Sequence, residues 1–293
     1  MEGIRKLNFT KMHGAGNDYV YMDGFGDSPL RNLSEKNYPD LARKISNRHF
    51  GVGSDGLILI LPSADADFYM RIFNADGSEA QMCGNGIRCV AKYAYEKGLT
   101  DKCRLQIDTL AGVKEISMEK EGDKIVGITV DMGAPILKRS IIPVKGEDNE
   151  PVVLQPLKIE DKVFKITAVG MGNPHCVIFV DKITDELVNH YGPLIERNEF
   201  FPEKTNVEFI ETVNRESIKM RVWERGSGET LACGTGACAA VVASFLNGLT
   251  ERETEVSLLG GKLKIRYDEI SGHVFMTGEG ETIADGCYYY QID

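Results

Sequence analysis

The sequence lacks an apolar run long enough to cross a bilayer as a helix. Its first residues, Met1 to Lys6, lead into polar residues and not into the apolar region of a signal peptide, so we expect a cytoplasmic protein. Cys-x-x-Cys pairs are also missing, although the chain has 7 cysteines. The absence of such pairs argues against zinc knuckles and favours free thiols in a reducing compartment. We therefore expect no metal site.

Positive charge is in deficit, with 34 Lys and Arg against 44 Asp and Glu and a net charge of −10. This balance argues against nucleic-acid and membrane partners, but it leaves room for a small charged substrate in a local site. The glycine-rich stretch Gly51–Gly56 lacks the spacing of a phosphate-binding or dinucleotide-binding loop. With 293 residues, 42% of them hydrophobic, the chain has the composition of a soluble globular protein of one large or two medium domains.

A repeated cysteine motif organises the chain. Met82–Cys89 reads Met-Cys-Gly-Asn-Gly-Ile-Arg-Cys, and Ala232–Cys238 reads Ala-Cys-Gly-Thr-Gly-Ala-Cys. Cys83 and Cys233 are 150 positions apart (233 − 83 = 150), and their surroundings match at the same offset without a gap. The matching pairs include Met70 and Met220, Arg71 and Arg221, Glu79 and Glu229, Gly84 and Gly234, Gly86 and Gly236, and Gly98 and Gly248. The match indicates an internal duplication with the two cysteines at equivalent places.

The residues after each cysteine predict a helix. Gly86–Lys97 has apolar residues at helical spacing, Gly236–Asn247 is apolar nearly all round, and a glycine follows each as a C-terminal cap. The second helix should therefore be enclosed by other elements, and each half is expected to be a central helix surrounded by strands. The polar, proline-bounded segment Pro143–Pro156 predicts an exposed loop.

The position of the cysteines suggests their chemistry. Amides at the start of a helix lack partners and carry partial positive charge, so a thiol there is expected to have a lowered pKa and to serve as a base. The adjoining glycines leave amides open to a carboxylate. Two such thiols on opposite sides of one substrate would invert a stereocentre without a cofactor. One such motif alone is equally consistent with a buried structural cysteine, and the matched pair favours the chemical reading.

Several polar residues in turn-like settings are further candidates. Asparagines in such loops usually bond their own backbone, an arginine is more often a solvated surface residue, and a single histidine is more often structural. Against that, Arg225 could grip a carboxylate, and His175 follows a tight turn in which it could serve a cysteine. These candidates are Asn17, Asn74, Asn173, Asn206, His175, Glu224 and Arg225.

These motifs resemble those of the diaminopimelate epimerase family over essentially the whole chain. The resemblance lies in the two cysteine motifs and in five further segments. Those segments are Lys11-Met12-His13-Gly14-x-Gly16-Asn17-Asp18, Phe73-Asn74-Ala75-Asp76-Gly77-Ser78, Gly172-Asn173-Pro174-His175, Thr205-Asn206-Val207-Glu208 and Glu224-Arg225-Gly226. Taken together and in this order, they are highly specific.

The resemblance implies an α+β fold of two similar pseudo-symmetric domains, each a barrel-like mixed β-sheet around a central helix. The expected boundaries are 1–133, 134–278 and a C-terminal strand segment, 279–293, that returns to the first domain. The implied activity is a cofactor-independent, two-base interconversion of LL- and meso-2,6-diaminopimelate in lysine and peptidoglycan precursor biosynthesis. A homodimer is expected.

The resemblance also implies residue roles. Cys83 and Cys233 form the acid–base pair, and His175 and Glu224 tune the thiols as further catalytic residues. The substrate-binding residues are Asn17, Asn74, Gly84, Asn85, Asn173, Asn206, Glu224, Arg225, Gly234 and Thr235. Two positions depart from the family: Tyr19 stands where Phe is frequent, and Gly56 where many members place a substrate-contacting Gln, a contact that is not carried over.

Three alternatives remain on the residues alone. Proline racemase relatives share the two-thiol logic but have different cysteine motifs. Phenazine-type isomerases share the fold but lack the thiol pair. A thiol redox sensor or a binding module belongs to a different class, in which Cys83 and Cys233 would cycle to a disulfide. Exchange of solvent deuterium into the α-carbon of a substrate separates an epimerase from a redox protein.

Overall fold

A computed structural model describes residues 4–147 and 150–292. The chain divides into two compact units, which we call unit 1 (Met1–Val130 and Gly278–Asp293) and unit 2 (Asp131–Thr277). Within the described ranges, no helix combines the length and apolar character needed to cross a membrane.

Unit 1 is a mixed sheet with strand order β18-β1-β2-β3-β4-β6-β7-β8. The β2–β3 and β4–β6 pairs are parallel and the others are antiparallel. Its strands are β1 (Ile4–Gly14), β2 (Asn17–Asp23), β3 (Gly56–Leu61), β4 (Phe68–Asn74), β5 (Glu79–Ala80), β6 (Arg104–Asp108), β7 (Lys114–Glu121), β8 (Lys124–Asp131) and the last strand, β18 (Glu281–Gln291). Its helices are α1 (Tyr38–Ser46), α2 (Gly84–Glu96) and the short 3₁₀ turns Pro29–Asn32 and Glu35–Asn37.

Unit 2 repeats this plan with strand order β9-β10-β11-β12-β13-β15-β16-β17. Parallel pairs occur at the same two places, β11–β12 and β13–β15. Its strands are β9 (Gln155–Ile159), β10 (Lys162–Gly170), β11 (Pro174–Phe179), β12 (Asn206–Asn214), β13 (Ser217–Glu224), β14 (Gly228–Thr230), β15 (Glu253–Leu258), β16 (Gly261–Tyr267) and β17 (Val274–Gly278). Its helices are the π-helix Leu187–Tyr191, α3 (Gly192–Glu196) and α4 (Gly234–Leu246). The identical order of parallel and antiparallel pairs confirms the predicted duplication and the α+β class.

The helices α2 and α4 confirm the predicted pair, but both begin two residues earlier than expected. Cys83 and Cys233 have extended backbone angles and are the N-caps, so the following glycines already belong to the first turn. Glycine gives little sequence signal for a helix start, which explains the shift. The apolar helix α4 packs against strands β10, β11, β12, β13, β15 and β16, as its uniform hydrophobicity predicts.

The segment Pro143–Pro156 is not the wholly exposed loop that its composition predicts. Val144 and Val152 are buried in the core of unit 2, with exposed fractions of 5% and 0%. Two apolar residues in a polar stretch are enough to fasten it to the core. Residues 148 and 149 of this segment lie outside the described ranges.

Candidate active site

Cys83 occupies the N-terminal end of α2, where its sulfur replaces a conventional oxygen cap. The backbone N–H of Gly86 donates to Cys83 Sγ at 3.3 Å. The thiol in turn donates to Asn17 Oδ1 at 3.3 Å. The sulfur therefore has a donor on the helix side and an acceptor on the side of the β1–β2 turn, and can be stabilised in either protonation state.

The orientation of Asn17 is set by Asp55. Asn17 Nδ2 donates to Asp55 Oδ2 at 2.8 Å, so the amide oxygen of Asn17 is the atom that faces the thiol. The backbone N–H of Asp18 donates to the same carboxylate oxygen at 3.1 Å, and Arg48 bridges Asp18 and Asp55 at 2.9 Å each. Asp55 thus serves as an anchor for a candidate substrate-binding residue.

Tyr19 is a second polar neighbour of Cys83. Its side chain is buried, and its hydroxyl group interacts with both Cys83 and Asn17. Strand pairing places Tyr19 opposite Gly56, where an added Cβ would lie 2.9 Å from Tyr19 Cε1. The two departures from the family pattern are therefore in contact with each other, and the small residue at 56 makes room for the phenol ring.

Three further candidates lie in unit 1. Gly84 and Asn85 are buried in the first turn of α2, and Asn85 Oδ1 accepts from the fully buried Arg88 at 3.0 Å. Asn74 ends strand β4, and its amide donates to Ser78 Oγ at 3.0 Å in the turn that leads to Cys83. The structure thus brings Asn17 into direct contact with Cys83. It places Gly84 and Asn85 in the helix that Cys83 caps, and Asn74 at the end of strand β4.

Cys233 has a parallel position in unit 2 but different neighbours. The N–H of Gly236 donates to Cys233 Sγ at 3.4 Å, and Thr235 Oγ1 lies 3.5 Å from it. The Glu224 carboxyl group interacts with the thiol and also accepts a short hydrogen bond from Thr230. Of the two predicted thiol partners, Glu224 is therefore the one that contacts Cys233.

His175 belongs to a buried polar chain. Its Nδ1 lies 2.6 Å from Glu208 Oε1, and its Nε2 lies 2.8 Å from Asn173 Oδ1. Neither His175 nor Glu208 is exposed to solvent. The negative charge of Glu208 also reaches Cys233, so His175 is linked to the surroundings of that thiol through an acid.

The turn after strand β13 is held by buried groups. Asn206 Oδ1 accepts from the N–H of Arg225 at 2.9 Å, and Asn206 Nδ2 donates to Pro174 O at 3.0 Å. Glu196, only 2% exposed, accepts from the N–H of Gly226 at 3.1 Å. The guanidinium group of Arg225 is exposed and donates to the carbonyl of Glu203 at 3.1 Å. Asn206 therefore orients this turn, and the charged end of Arg225 lies on its solvent side.

The predicted lowering of the thiol pKa values is wrong for both cysteines. Burial of the sulfur raises the pKa of Cys83, and the helix amides and Tyr19 oppose this without cancelling it. The pKa of Cys233 is raised well above its usual value by burial and then by the charges of Glu224 and Glu208. Burial also raises the pKa of Glu224, against the opposing hydrogen bonds of Thr230 and Cys233. Removal of water outweighs the partial charge of a helix end at these sites.

The sequence profile of the diaminopimelate epimerase family matches residues 9–138 and 167–283. The chain belongs to this family. It is 51% identical over 280 residues to the diaminopimelate epimerase of Methanococcus maripaludis strain C6, covering 96% of this chain and 99% of the relative. It is 52% identical over 289 residues to that of Geobacillus sp. strain WCH70, covering 98% and 100%. Family membership confirms the resemblance and makes the chain an isomerase.

Solved structures with low sequence identity share the diaminopimelate epimerase-like fold. A phenazine biosynthesis protein of the PhzF family from Bacillus anthracis superposes with a TM-score of 0.67 at 18% identity, covering 97% of this chain and 99% of the other. A probable proline racemase from Agrobacterium radiobacter K84 superposes with a TM-score of 0.69 at 16% identity, covering 98% and 93%. These likenesses concern the fold alone.

Sequence reasoning assigned no role to Glu208, to Asp55 or to the hydroxyl group of Tyr19. A signal for Glu208 was available, because a single acid interrupts the apolar strand from Val207 to Ile210 and such an acid is rarely buried without a partner. Asp55 and Tyr19 gave no comparable signal. Their contacts depend on how strands β2 and β3 pair.

Proposed function

We propose that this protein interconverts LL-2,6-diaminopimelate and meso-2,6-diaminopimelate without pyridoxal phosphate or another cofactor. The observation that carries the proposal is the matched pair of cysteine N-caps, each with a sulfur beside the amides of a glycine-rich helix start. Membership of the diaminopimelate epimerase family supplies the substrate class. The reaction belongs to the supply of lysine and of peptidoglycan precursors.

The proposed reaction is a proton transfer at one α-carbon. The thiolate of one cysteine forms an S–H bond as the α-C–H bond breaks, and the electron pair stays on carbon, in conjugation with the carboxylate. The thiol of the other cysteine then gives its proton to the opposite face of that carbon. Carbon has exchanged one proton for another, and the two sulfurs have exchanged protonation states, so the reverse reaction uses them in swapped roles.

The chain's own groups stabilise this step. Backbone amides of Gly84, Asn85, Gly234 and Thr235 are proposed to hold the reacting carboxylate, because the amides at a helix start favour negative charge. Since both thiol pKa values are raised, a thiolate must be formed by transfer of its proton to a neighbour, and Glu224 is the group in contact with Cys233.

The remaining candidates are proposed to hold the rest of the substrate and to set its specificity. Asn17, Asn173 and Asn206 have amide groups whose orientation is fixed by bonds to other residues. Such fixed amides can distinguish ammonium from carboxylate groups at the distal end of diaminopimelate. Asn74 and Arg225 complete this set.

Exchange with heavy water tests the proposal. Purified enzyme with LL-diaminopimelate in deuterium oxide is expected to yield meso product that carries deuterium at one α-carbon, as measured by mass spectrometry. Proline is expected to gain none. Exchange into proline but not diaminopimelate would favour a proline racemase, and exchange into neither would favour a redox or binding protein. The proposal includes a cytoplasmic homodimer, which light scattering of the purified protein checks.

A further inference from the structure

Glu208 is a buried acid that the proposed proton transfer does not use. It lies on strand β12 with apolar residues on both sides, and none of its side chain is exposed. Its Oε1 is bound to His175 at 2.6 Å, and among the described residues no donor reaches Oε2. A buried carboxylate with one unsatisfied oxygen costs free energy, so stability alone is a poor reason for its presence.

The contacts of His175 determine where its hydrogens lie. Each ring nitrogen faces an oxygen, Glu208 Oε1 on one side and Asn173 Oδ1 on the other. An amide oxygen only accepts, so Nε2 must carry a hydrogen and donate it. A second hydrogen lies between Nδ1 and the carboxylate. The two hydrogen bonds of the ring therefore use two hydrogens, and a carboxylate at position 208 is the partner that can share the second one.

We propose that Glu208 is a positioning residue that keeps a hydrogen on Nε2 of His175, which then fixes the Asn173 amide with its NH₂ group free for the substrate. The inference rests on the proposed function, in which Asn173 binds diaminopimelate. An NH₂ group directed at the ligand recognises an acceptor, so its partner would be a carboxylate oxygen of the substrate and not an ammonium group.

Unit 1 holds its equivalent asparagine in another way. Strand pairing sets Tyr19 opposite Gly56 and His175 opposite Asn206, and Gly56 and Asn206 occupy matching positions in the two units. Tyr19 and His175 are therefore equivalent, and so are Asn17 and Asn173, which lie two residues before them. Asp55 binds Asn17 directly and turns its oxygen toward Cys83. His175 binds the oxygen of Asn173, and no other residue in the described ranges is hydrogen-bonded to the amide nitrogen of that side chain.

The surroundings of Glu208 show a site shaped for an acid. An added Cβ at Gly236 would lie 2.8 Å from Glu208 Oε1, and one at Gly86 would lie 2.6 Å from Ile58 Cδ1. Ile58 is the residue 150 positions before Glu208 (208 − 58 = 150). The duplicated scaffold therefore accepts an apolar side chain at this place, and the fold itself does not require the acid.

The test combines imidazole spectroscopy with kinetics in Glu208→Gln. With ¹⁵N-histidine labelling, the 5 histidines give a spectrum simple enough for assignment by a His175→Asn variant. In the wild type, Nε2 of His175 is expected to show a protonated shift, and Nδ1 the shift of a nitrogen that shares a hydrogen with a carboxylate. Glutamine supplies no charge to hold a second hydrogen on the ring, so only one is expected to remain. With the glutamine carbonyl accepting from Nδ1, Nε2 is expected to lose its hydrogen and Asn173 to reverse its amide. KM for diaminopimelate should then rise about 10-fold to 100-fold, the loss of one hydrogen bond to a charged group, with a smaller change in kcat.

Two further variants complete the test. Glu208→Asp keeps the charge and should restore the second ring hydrogen and part of the affinity. Glu211→Gln removes a solvent-facing acid, paired with Lys219 at 2.7 Å, from the same strand and should change neither readout. A bare Nε2 in the wild type would overturn the proposal. So would an Nε2 that keeps its hydrogen in folded Glu208→Gln, the result expected if the glutamine NH₂ group donates to Nδ1. The spectra do not depend on turnover, so they remain decisive even if deuterium exchange disproves the epimerase assignment.

Discussion

Units 1 and 2 have the same strand order and the same cysteine N-cap, yet they surround the sulfur differently. Cys83 has an amide oxygen and a phenol as neighbours, from Asn17 and Tyr19. Cys233 has the carboxyl group of Glu224 in contact and the charge of Glu208 close by. The duplication has kept the scaffold that places a thiol on helix amides, while the groups that control its proton have diverged.

This difference predicts unequal thiols. Both pKa values are raised by burial, but that of Cys233 is raised further because two acids oppose a second negative charge near it. Cys83 should therefore ionise more readily, and Cys233 should depend more on a neighbouring base. In the proposed reaction, an exchange of protons between unlike partners still works in both directions, since each sulfur would be the base in one of them.

The largest expected effect comes from removing either sulfur. Cys83→Ala and Cys233→Ala should each lower epimerisation of LL-diaminopimelate by about 10³-fold or more, because a positioned acid or base typically contributes about 10²–10⁴-fold. We expect the two alanine variants to lose activity to the same extent, although the two thiols have different neighbours, since a two-base reaction needs one group on each face of the α-carbon. Cys→Ser variants should also be severely impaired, because a hydroxyl is a weaker acid. Turnover near the wild-type rate in either folded alanine variant, with folding checked by circular dichroism, would rule out the two-base assignment.

The next largest effect should distinguish the role of Glu224 from that of its counterpart Asn74, 150 positions earlier (224 − 74 = 150). Glu224→Gln removes the acid in contact with Cys233 and should lower kcat by about 10²-fold, the lower range for a lost proton acceptor. Asn74→Ala should act mainly on KM, since its amide lies in a turn and is proposed to bind substrate. Steady-state kinetics in both reaction directions checks the split. An unchanged kcat in Glu224→Gln would show that the contact with Cys233 is not used in catalysis.

The sequence was sufficient for the scaffold but not for the state of the thiols. The offset of 150 and the Gly-x-Gly after each cysteine predicted the duplication and both helices, because these depend on local pattern. The thiol pKa values depend on how completely other strands bury the sulfur, which no local pattern records. The pairing of His175 with Glu208 joins residues 33 positions apart and follows from the register of two parallel strands. Asp55 reaches Asn17 in the same way, across 38 positions.

A smaller effect is expected from Tyr19→Phe, which removes the phenol from Cys83. The Tyr19 hydrogen bond lowers the pKa of Cys83 against the effect of burial, so the variant should raise that pKa and reduce the thiolate fraction at a given pH. Alkylation by iodoacetamide follows the thiolate. In a Cys233→Ala background it should slow about 5-fold at Cys83, the value of one hydrogen bond of about 1 kcal/mol. Mass spectrometry of the Cys83 peptide measures the rate, and faster alkylation would contradict the assignment.

The smallest expected effect tests what the duplication kept the same. Arg71 and Arg221 each bind an acid through two nitrogens: Glu79 at 2.7 and 3.0 Å in unit 1, and Glu229 at 2.6 and 3.0 Å in unit 2. Both arginines are largely buried, with side chains 15% and 18% exposed. Replacement by alanine should cost about 1 kcal/mol of unfolding free energy in each unit, the upper value for an exposed pair, because the contact is bidentate while both partners keep partial access to solvent.

Arg71 should cost slightly more, because its guanidinium group also lies 5.4 Å and 5.1 Å from the ring centres of Tyr38 and Phe73. Urea unfolding followed by circular dichroism compares the two variants. Fluorescence of the single tryptophan, Trp223, reports unit 2 by itself. If Arg221→Ala were the more destabilising variant, the stacking in unit 1 would contribute less than its geometry indicates. Loss of stability in only one variant would mean that both units retain the ion pair, although it no longer contributes equally to their stability.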